Sequence, residues 1–90
     1  MLVEIDLKKV VEFVGQGEDC KVCVDKDGSA YVLPIAAAIY SDTILTQEFY
    51  AGDYADCESY KAYADWVESC YYGQEFEAGS DEYITFTIKA

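Results

Sequence analysis

Four cysteines are the residues in this sequence whose side chains could take part in the most kinds of chemistry. Cys20 and Cys23 form a Cys-x-x-Cys motif, and Cys57 and Cys70 follow later in the chain. Four cysteines could ligate one zinc ion or form two disulfides. If Cys57 and Cys70 lie on one helix, as predicted below, their thirteen-residue separation places them about 20 Å apart along the axis. That distance is far too large for one ion with Zn–S bonds of about 2.3 Å.

The Cys-x-x-Cys motif lies in a segment, Asp-Cys-Lys-Val-Cys-Val-Asp, that is typical of a β-strand. In a strand, Cys20 and Val22 face one way and Cys23 faces the other. A zinc knuckle would carry turn residues here, and a redox motif would open a helix within a βαβ pattern. We therefore predict reduced cysteines acting as small apolar residues in a cytosolic protein, with metal or redox chemistry as the alternative.

Carboxylates are the other abundant chemical group. The chain has eighteen Asp and Glu, six Lys and neither His nor Arg, which gives a formal charge of −12. The composition lacks the commonest general base and the usual oxyanion or phosphate clamp, so Ser-His-Asp and Cys-His catalysis is excluded. A glycosidase with paired carboxylates is formally allowed, but so many acids make any such pair uninformative. We predict a binding protein that is not an enzyme and uses no cofactor and no metal.

The negative charge is concentrated in the second half of the chain. Residues 1–41 carry seven acids and four lysines, a net charge of −3, whereas residues 42–90 carry eleven acids and two lysines, a net charge of −9. Such a chain is repelled by nucleic acid and by anionic membranes. We therefore predict a basic protein partner, with no direct binding of nucleic acid or membrane. The sequence leaves open whether the protein is a monomer or a dimer.

The first half of the chain predicts a helix followed by a hairpin. Asp6 is a suitable N-cap for a short helix whose apolar residues recur at intervals of three and four and which ends at Gly15 and Gly17. Residues 20–25 and 29–33 then form two strands joined by Asp-Lys-Asp-Gly. That turn resembles the start of a calcium loop, but Ala30 and Ala36 occupy the positions that need Gly and Glu.

The next two segments are less regular. Residues 34–40, which begin with Pro34, are compatible with a short helix or with a bent continuation of the sheet. Residues 43–50 are rich in β-forming side chains and predict a strand, with helix as the alternative.

Residues 53–72 predict one long amphipathic helix with an acidic outer face. Asp53 and Asp56 lie near its start, where negative charge interacts favourably with the helix dipole, and Gly73 is placed to end it. Trp66 projects from the flank of the apolar stripe, either as a partly buried core residue or as an interface anchor. The predicted apolar face consists of Cys57, Tyr60, Tyr63, Ala64, Val67, Cys70 and Tyr71, and the opposite face of Glu58, Lys61, Asp65 and Glu68.

The C-terminal segment predicts an acidic loop over residues 74–82, followed by a strand over residues 83–89. The strand alternates, with Ile84, Phe86 and Ile88 on one face. Together these elements predict one domain spanning residues 1–90. Its fold is α+β: an antiparallel sheet of three to four strands, holding both the hairpin and the last strand, packs against one long and one short helix.

Acids on the long helix and in the loop after it form the predicted partner-binding surface, together with Trp66. Carboxylates three or four residues apart on a helix stand about 5 to 6 Å apart, so they could imitate phosphates and fill a basic groove built for DNA or RNA. The alternatives are an ordinary solvated surface, an acidic adaptor for a basic protein, and a weak site for divalent cations. The predicted residues are Asp53, Asp56, Glu58, Asp65, Trp66, Glu68, Glu75, Glu77, Asp81 and Glu82.

Residues 59–67 (Ser-Tyr-Lys-Ala-Tyr-Ala-Asp-Trp-Val), preceded by Asp53 and Asp56, resemble an acidic helix segment of a DNA-mimicking anti-CRISPR protein of the type I-F class. In size and charge the chain is similar to the small acidic inhibitors with which bacteriophages block host nucleic-acid defences. The resemblance implies a stoichiometric inhibitor, acting in the cytoplasm of an infected bacterium, that occupies the DNA-binding surface of a CRISPR effector complex. Asp65 and its acidic neighbours would then stand in for phosphates.

Overall fold

The structure, a computed structural model, describes residues 1–78 and 83–89. Within these residues the chain forms six strands and three helices, so the α+β class is confirmed. In chain order the elements are β1 (Leu2–Asp6), α1 (Leu7–Val14), β2 (Cys20–Asp25), β3 (Ala30–Pro34), β4 (Thr43–Phe49), α2 (Ala51–Ala55), α3 (Tyr60–Tyr71), β5 (Glu75–Glu77) and β6 (Tyr83–Lys89).

The described strands form two three-stranded sheets rather than the single antiparallel sheet predicted from the sequence. The first sheet has the order β1-β6-β5 and the second the order β3-β2-β4. In the first sheet β1 runs parallel to β6 and β5 runs antiparallel to it, whereas the second sheet is antiparallel throughout. The prediction that β6 joins the hairpin is wrong because β1 and β5 occupy both of its edges.

Strand β1 was not predicted, although its residues alternate. Val3 and Ile5 are buried while Leu2 and Glu4 are exposed, which is the pattern of a half-buried strand. Its partner β6 has the predicted alternation, with Ile84 fully buried. The first and last strands of the chain therefore lie side by side in one sheet.

Helix α1 and the hairpin agree with the sequence prediction. The Asp6 carboxylate accepts a hydrogen bond from the Lys8 backbone N–H at 3.1 Å and caps α1. Gly28 has a φ of 86°, a conformation that suits glycine, in the turn between β2 and β3. Residues 43–49 form β4 as predicted. Of residues 34–40, which the sequence left open between a short helix and a bent continuation of the sheet, Pro34 ends β3 and residues 35–40 are a turn and irregular chain.

The predicted long helix is two helices separated by a bend. Ser59 lies in the bend with extended backbone (φ −157°, ψ 168°), and its hydroxyl accepts a hydrogen bond from the Ala62 backbone N–H at 3.1 Å. This local bond gives the backbone an alternative to continuing the helix. The bend also lets Tyr54 of α2 pack edge-on against Tyr63 of α3, with ring centroids 5.1 Å apart. Asp56 consequently ends α2 instead of lying near the start of a long helix.

The apolar face of α3 is largely as predicted. Tyr63 and Val67 are fully buried, and Tyr60, Ala64 and Tyr71 pack partly buried against the core. Cys70 is exposed, so its predicted place in that face is wrong: it lies at the edge of the apolar stripe in the last turn of the helix.

One hydrophobic cluster connects the two sheets with α1 and α3. All six residues of β2 are buried, so this strand contributes one face to the cluster and is covered on the other. The buried members are Val3, Ile5, Leu7, Val10, Val14, Cys20, Val22, Val24, Phe49, Tyr63, Val67, Ala78, Ile84 and Phe86.

The acidic loop predicted over residues 74–82 contains a strand instead. Residues 75–77 form β5, which pairs antiparallel with β6. Phe76 points inward and packs 4.7 Å from Phe86, measured between ring centroids. This inward aromatic residue between two exposed glutamates is why the segment is a strand rather than a loop.

The role of Ser59 as the N-cap of α3 predicts whether its replacement raises or lowers the free energy of unfolding. Ser59→Ala should lower the free energy of unfolding by about 1 kcal/mol, because it removes the N-cap of α3. Urea denaturation measures this directly. A continuous helix would give the opposite result, since alanine is a better helix former than serine.

The Tyr63 hydroxyl is buried and has no hydrogen-bond partner among the described residues, and burial raises the pKa of this phenol. Leaving a polar group unpaired in the core costs about 1 to 3 kcal/mol. Tyr63→Phe should therefore leave the protein equally stable or stabilise it by about 1 kcal/mol in thermal or urea denaturation. Val67→Ala, a control at the same buried face, should destabilise it by about 2 kcal/mol. A clear loss of stability in Tyr63→Phe would show that the hydroxyl has a partner.

Candidate acidic interface

Most of the predicted partner-binding residues lie at the surface. Asp53 is partly buried, and Asp81 and Glu82 lie outside the described residues. Trp66 is 37% exposed. The exposed acids among them are Asp56, Glu58, Asp65, Glu68, Glu75 and Glu77.

The outer side of α3 carries Asp65 and Glu68. On an ideal helix these two side chains are about 60° apart around the axis, so they share one face. Lys61 Nζ lies 3.1 Å from Asp65 Oδ2, and both side chains are mostly exposed. An exposed pair at this spacing contributes little to stability, but it partly neutralises Asp65. Glu68 has no salt-bridge partner among the described residues.

Trp66 lies on the flank of α3, about 100° from Asp65 on an ideal helix. Its ring stacks on the buried Tyr63 ring with centroids 5.9 Å apart and planes at 24°. One side of the indole therefore packs on the core and the other faces solvent. Trp66 therefore packs against the core while part of its side chain stays accessible.

Asp56 and Glu58 lie in the bend before α3, next to the first turn of that helix. Negative charge near a helix N-terminus is favourable because the backbone N–H groups there carry partial positive charge. We call Asp56, Glu58, Asp65, Trp66 and Glu68 the α3 patch.

Glu75 and Glu77 belong to a different surface. They lie on the outer face of the first sheet, where Glu75 is paired in register with Thr85 and Glu77 with Tyr83. Glu4, which the sequence analysis did not select, lies on the same face and forms a 3.6 Å ion pair with Lys89. The alternation of residues 2–6 was the sequence signal that could have found it.

The α3 patch and the acidic face of the first sheet point in different directions. Helix α3 and the first sheet share the core cluster, through Val67 on the helix and Ile84 on the sheet. Their outer sides therefore face away from each other. Asp65 and Glu68 share one face of α3 and Asp56 and Glu58 lie in the bend before it, whereas Glu75 and Glu77 lie on the outer face of the first sheet.

The cysteines do not converge on one site. Cys20 belongs to the core, whereas Cys23 lies on the opposite face of β2, where its sulfur is 3.9 Å from Thr46 Oγ1. Burial raises the pKa of the Cys20 thiol to about 11, and the charges of Asp19 and Glu18 add to this effect. Cys57 lies in the bend and not on α3, so the distance along one long helix no longer applies.

All four cysteines are free thiols in the structure. Within residues 1–78 and 83–89, no three His, Cys, Asp or Glu side chains are placed to hold one metal ion.

A cavity on the outer face of the second sheet was also missed by sequence analysis. Its lining includes Asp25 from the hairpin and Asp42 from the chain before β4. The hairpin turn was predicted, but no periodic pattern in residues 35–42 indicates that this chain returns to it. We call this cavity the outer-face pocket.

Comparison with protein-family models, curated proteins and solved structures finds no match to this chain. In the part of the chain that the structure describes, no helix has both the length and the apolar character needed to cross a membrane.

The cysteine environments predict an order of reaction with a thiol-alkylating reagent. Cys70 is exposed and should react first, Cys57 is partly buried and should follow, and Cys20 and Cys23 should react only on unfolding because both are buried. Mass spectrometry of peptides after timed alkylation at pH 8 measures the order. Early modification of Cys20 or Cys23 in the folded protein would contradict the described core.

Proposed function

We propose that this chain is a stoichiometric inhibitor of a nucleic-acid-binding complex of bacterial defence, and that the α3 patch replaces nucleic-acid phosphates on a basic surface of that complex. The observation that carries the proposal is the array of exposed acids along α3 and its preceding bend. The chain acts by binding and not by catalysis.

The geometry of the α3 patch suits an imitation of a phosphate backbone. Asp65 and Glu68 are three residues apart on a regular helix, which places their Cβ atoms about 5 to 6 Å apart. This spacing is of the order of the charge spacing along a nucleic-acid strand. A groove that holds DNA by lysine and arginine contacts would therefore find comparable charges on this helix.

The net negative charge of residues 42–90 also supports the proposal. In residues 42–90 the only positive side chains are Lys61 and Lys89, and both already form ion pairs with acids. Lys61 partly neutralises Asp65, but eleven acids against two lysines leave residues 42–90 with a net charge of −9. The field of this charge accelerates encounter with a basic partner and makes it sensitive to salt.

The resemblance to a DNA-mimicking anti-CRISPR protein supports the choice of target. Residues 59–67 coincide with the N-cap and the first two turns of α3, so the segment that resembles an acidic helix is helical here. On this basis the proposed partner is a basic subunit of a CRISPR effector complex, met in the cytoplasm of an infected bacterium. Trp66, half-exposed beside the acids, would supply an aromatic anchor of the kind that dominates many interfaces.

Displacement of DNA tests the proposal. Increasing amounts of the protein are added to a guide-loaded type I-F effector complex holding fluorescent target DNA, and bound DNA is followed by anisotropy. The unaltered chain should release the DNA at a stoichiometric ratio. The triple reversal Glu58→Lys, Asp65→Lys and Glu68→Lys should weaken release by at least about 100-fold, because like charges then face each other across the interface.

A matched control distinguishes an effect of the α3 patch from an effect of net charge alone. Glu12→Lys, Glu18→Lys and Asp27→Lys change the charge by the same amount at exposed positions outside α2 and α3. This control should lose much less activity than the α3 triple. Equal losses would show that net charge alone matters, and binding to the effector without loss of DNA would favour an acidic adaptor over a mimic.

A further inference from the structure

The outer-face pocket is a cavity of about 400 Å³ between β3 and the chain that leads into β4. This volume lies in the range of sites that hold small ligands or single side chains. Its lining residues are Asp25, Tyr31, Leu33, Tyr40, Ser41 and Asp42.

Two tyrosine rings form aromatic walls of the pocket. The centroids of Tyr31 and Tyr40 are 6.3 Å apart, and their planes meet at 66°. Tyr40 is 65% exposed and Tyr31 is 40% exposed, so both rings offer surface to a ligand. The face of a tyrosine ring attracts cations.

Two carboxylates complete the site. Asp25 is fixed: its Oδ1 accepts hydrogen bonds from the backbone N–H groups of Asp27 and Ser29, both at 2.9 Å, and its Oδ2 accepts one from the Tyr31 hydroxyl. The Tyr31 bond, assisted by the backbone bonds, lowers the pKa of the Asp25 carboxyl, which keeps it ionised. Asp42 is exposed at the rim.

The carboxylates of the pocket are not paired with a lysine side chain within the described residues. Neither Asp25 nor Asp42 takes part in a salt bridge among the described residues. The buried cation of this face, Lys21, donates its ammonium hydrogens to the carbonyl oxygens of Ile35 and Ala37 instead. Lys26, whose backbone N–H donates to the Asp42 carbonyl oxygen, is exposed and forms no salt bridge with either carboxylate, so the pocket presents negative charge and aromatic surface together.

We propose that the outer-face pocket binds the guanidinium group of an arginine side chain, which stacks on Tyr40 and donates hydrogen bonds to Asp42 and to the free lone pair of Asp25. A guanidinium fits better than an ammonium because it is planar, weakly hydrated and able to stack on an aromatic ring while binding carboxylate. The inference rests on the proposed function only for the source of the arginine, which is the basic partner protein. The pocket is a second contact, separate from the α3 patch.

Titration of the full chain with N-acetylarginine amide, followed by NMR, tests the pocket without any partner protein. We expect saturable shifts centred on Tyr31, Tyr40 and Ser41. N-acetylcitrulline amide, which has nearly the same shape but no charge, should leave these signals unchanged. Shifts of equal size with citrulline, or shifts spread over the acidic surface without saturation, would overturn the assignment.

Two exposed substitutions test the residues. Asp42→Asn should weaken arginine binding by about tenfold through loss of a charged hydrogen bond, and Tyr40→Ala should weaken it by a smaller factor. Asp65→Asn removes the same charge from the α3 patch and should leave the affinity unchanged. Equal weakening by Asp65→Asn would mean that only the general field attracts arginine.

The arginine site and the proposed inhibition can be contradicted independently of each other. Arginine binding that depends on Tyr40 and Asp42, together with no release of DNA from the effector, would support the arginine site and contradict the proposed inhibition. Release of DNA with no arginine binding would do the reverse.

Discussion

Mutual repulsion among carboxylates is the constraint on which the rest of this structure depends. A chain of ninety residues with a formal charge of −12 must fold while its like charges are drawn closer together. The described structure meets this condition by turning nearly every acid outward around a small core of aliphatic and aromatic side chains. Asp25, the buried exception, is held by backbone N–H groups and a tyrosine hydroxyl. The field that opposes folding is the same field that would attract a basic partner.

The central strand β2 allows this arrangement. One of its faces supplies Cys20, Val22 and Val24 to the core. Its other face is also buried, and there Lys21 donates hydrogen bonds to the carbonyl oxygens of Ile35 and Ala37 in the irregular chain after β3. Because β2 is covered on both faces, the acids are displayed on the elements around it: α3, the outer face of the first sheet and the rim of the outer-face pocket.

Local sequence patterns predicted most of the helices and strands. The pairing of strands that are distant in the sequence could not be predicted in this way. The cap at Asp6, the hairpin turn at Gly28 and the alternation of β6 depend on neighbouring residues, and the structure has all three. The pairing of β1 with β6 joins residues more than eighty positions apart, so no local pattern could indicate it. Ser59 shows a different difficulty: the apolar spacing continues through residues 57–71, but the Ser59 hydroxyl caps a new helix there, after α2 has already ended at Ala55. The acids of the candidate site were found from composition, but their division between α3 and the first sheet required the fold.

The central claim is that the α3 patch and nucleic acid compete for one basic surface. Native mass spectrometry of a guide-loaded type I-F effector complex, mixed with target DNA and a small excess of this protein, tests it most directly. The account predicts two populations, effector with DNA and effector with this protein, and no particle that holds both. A ternary complex of effector, DNA and this protein would contradict it.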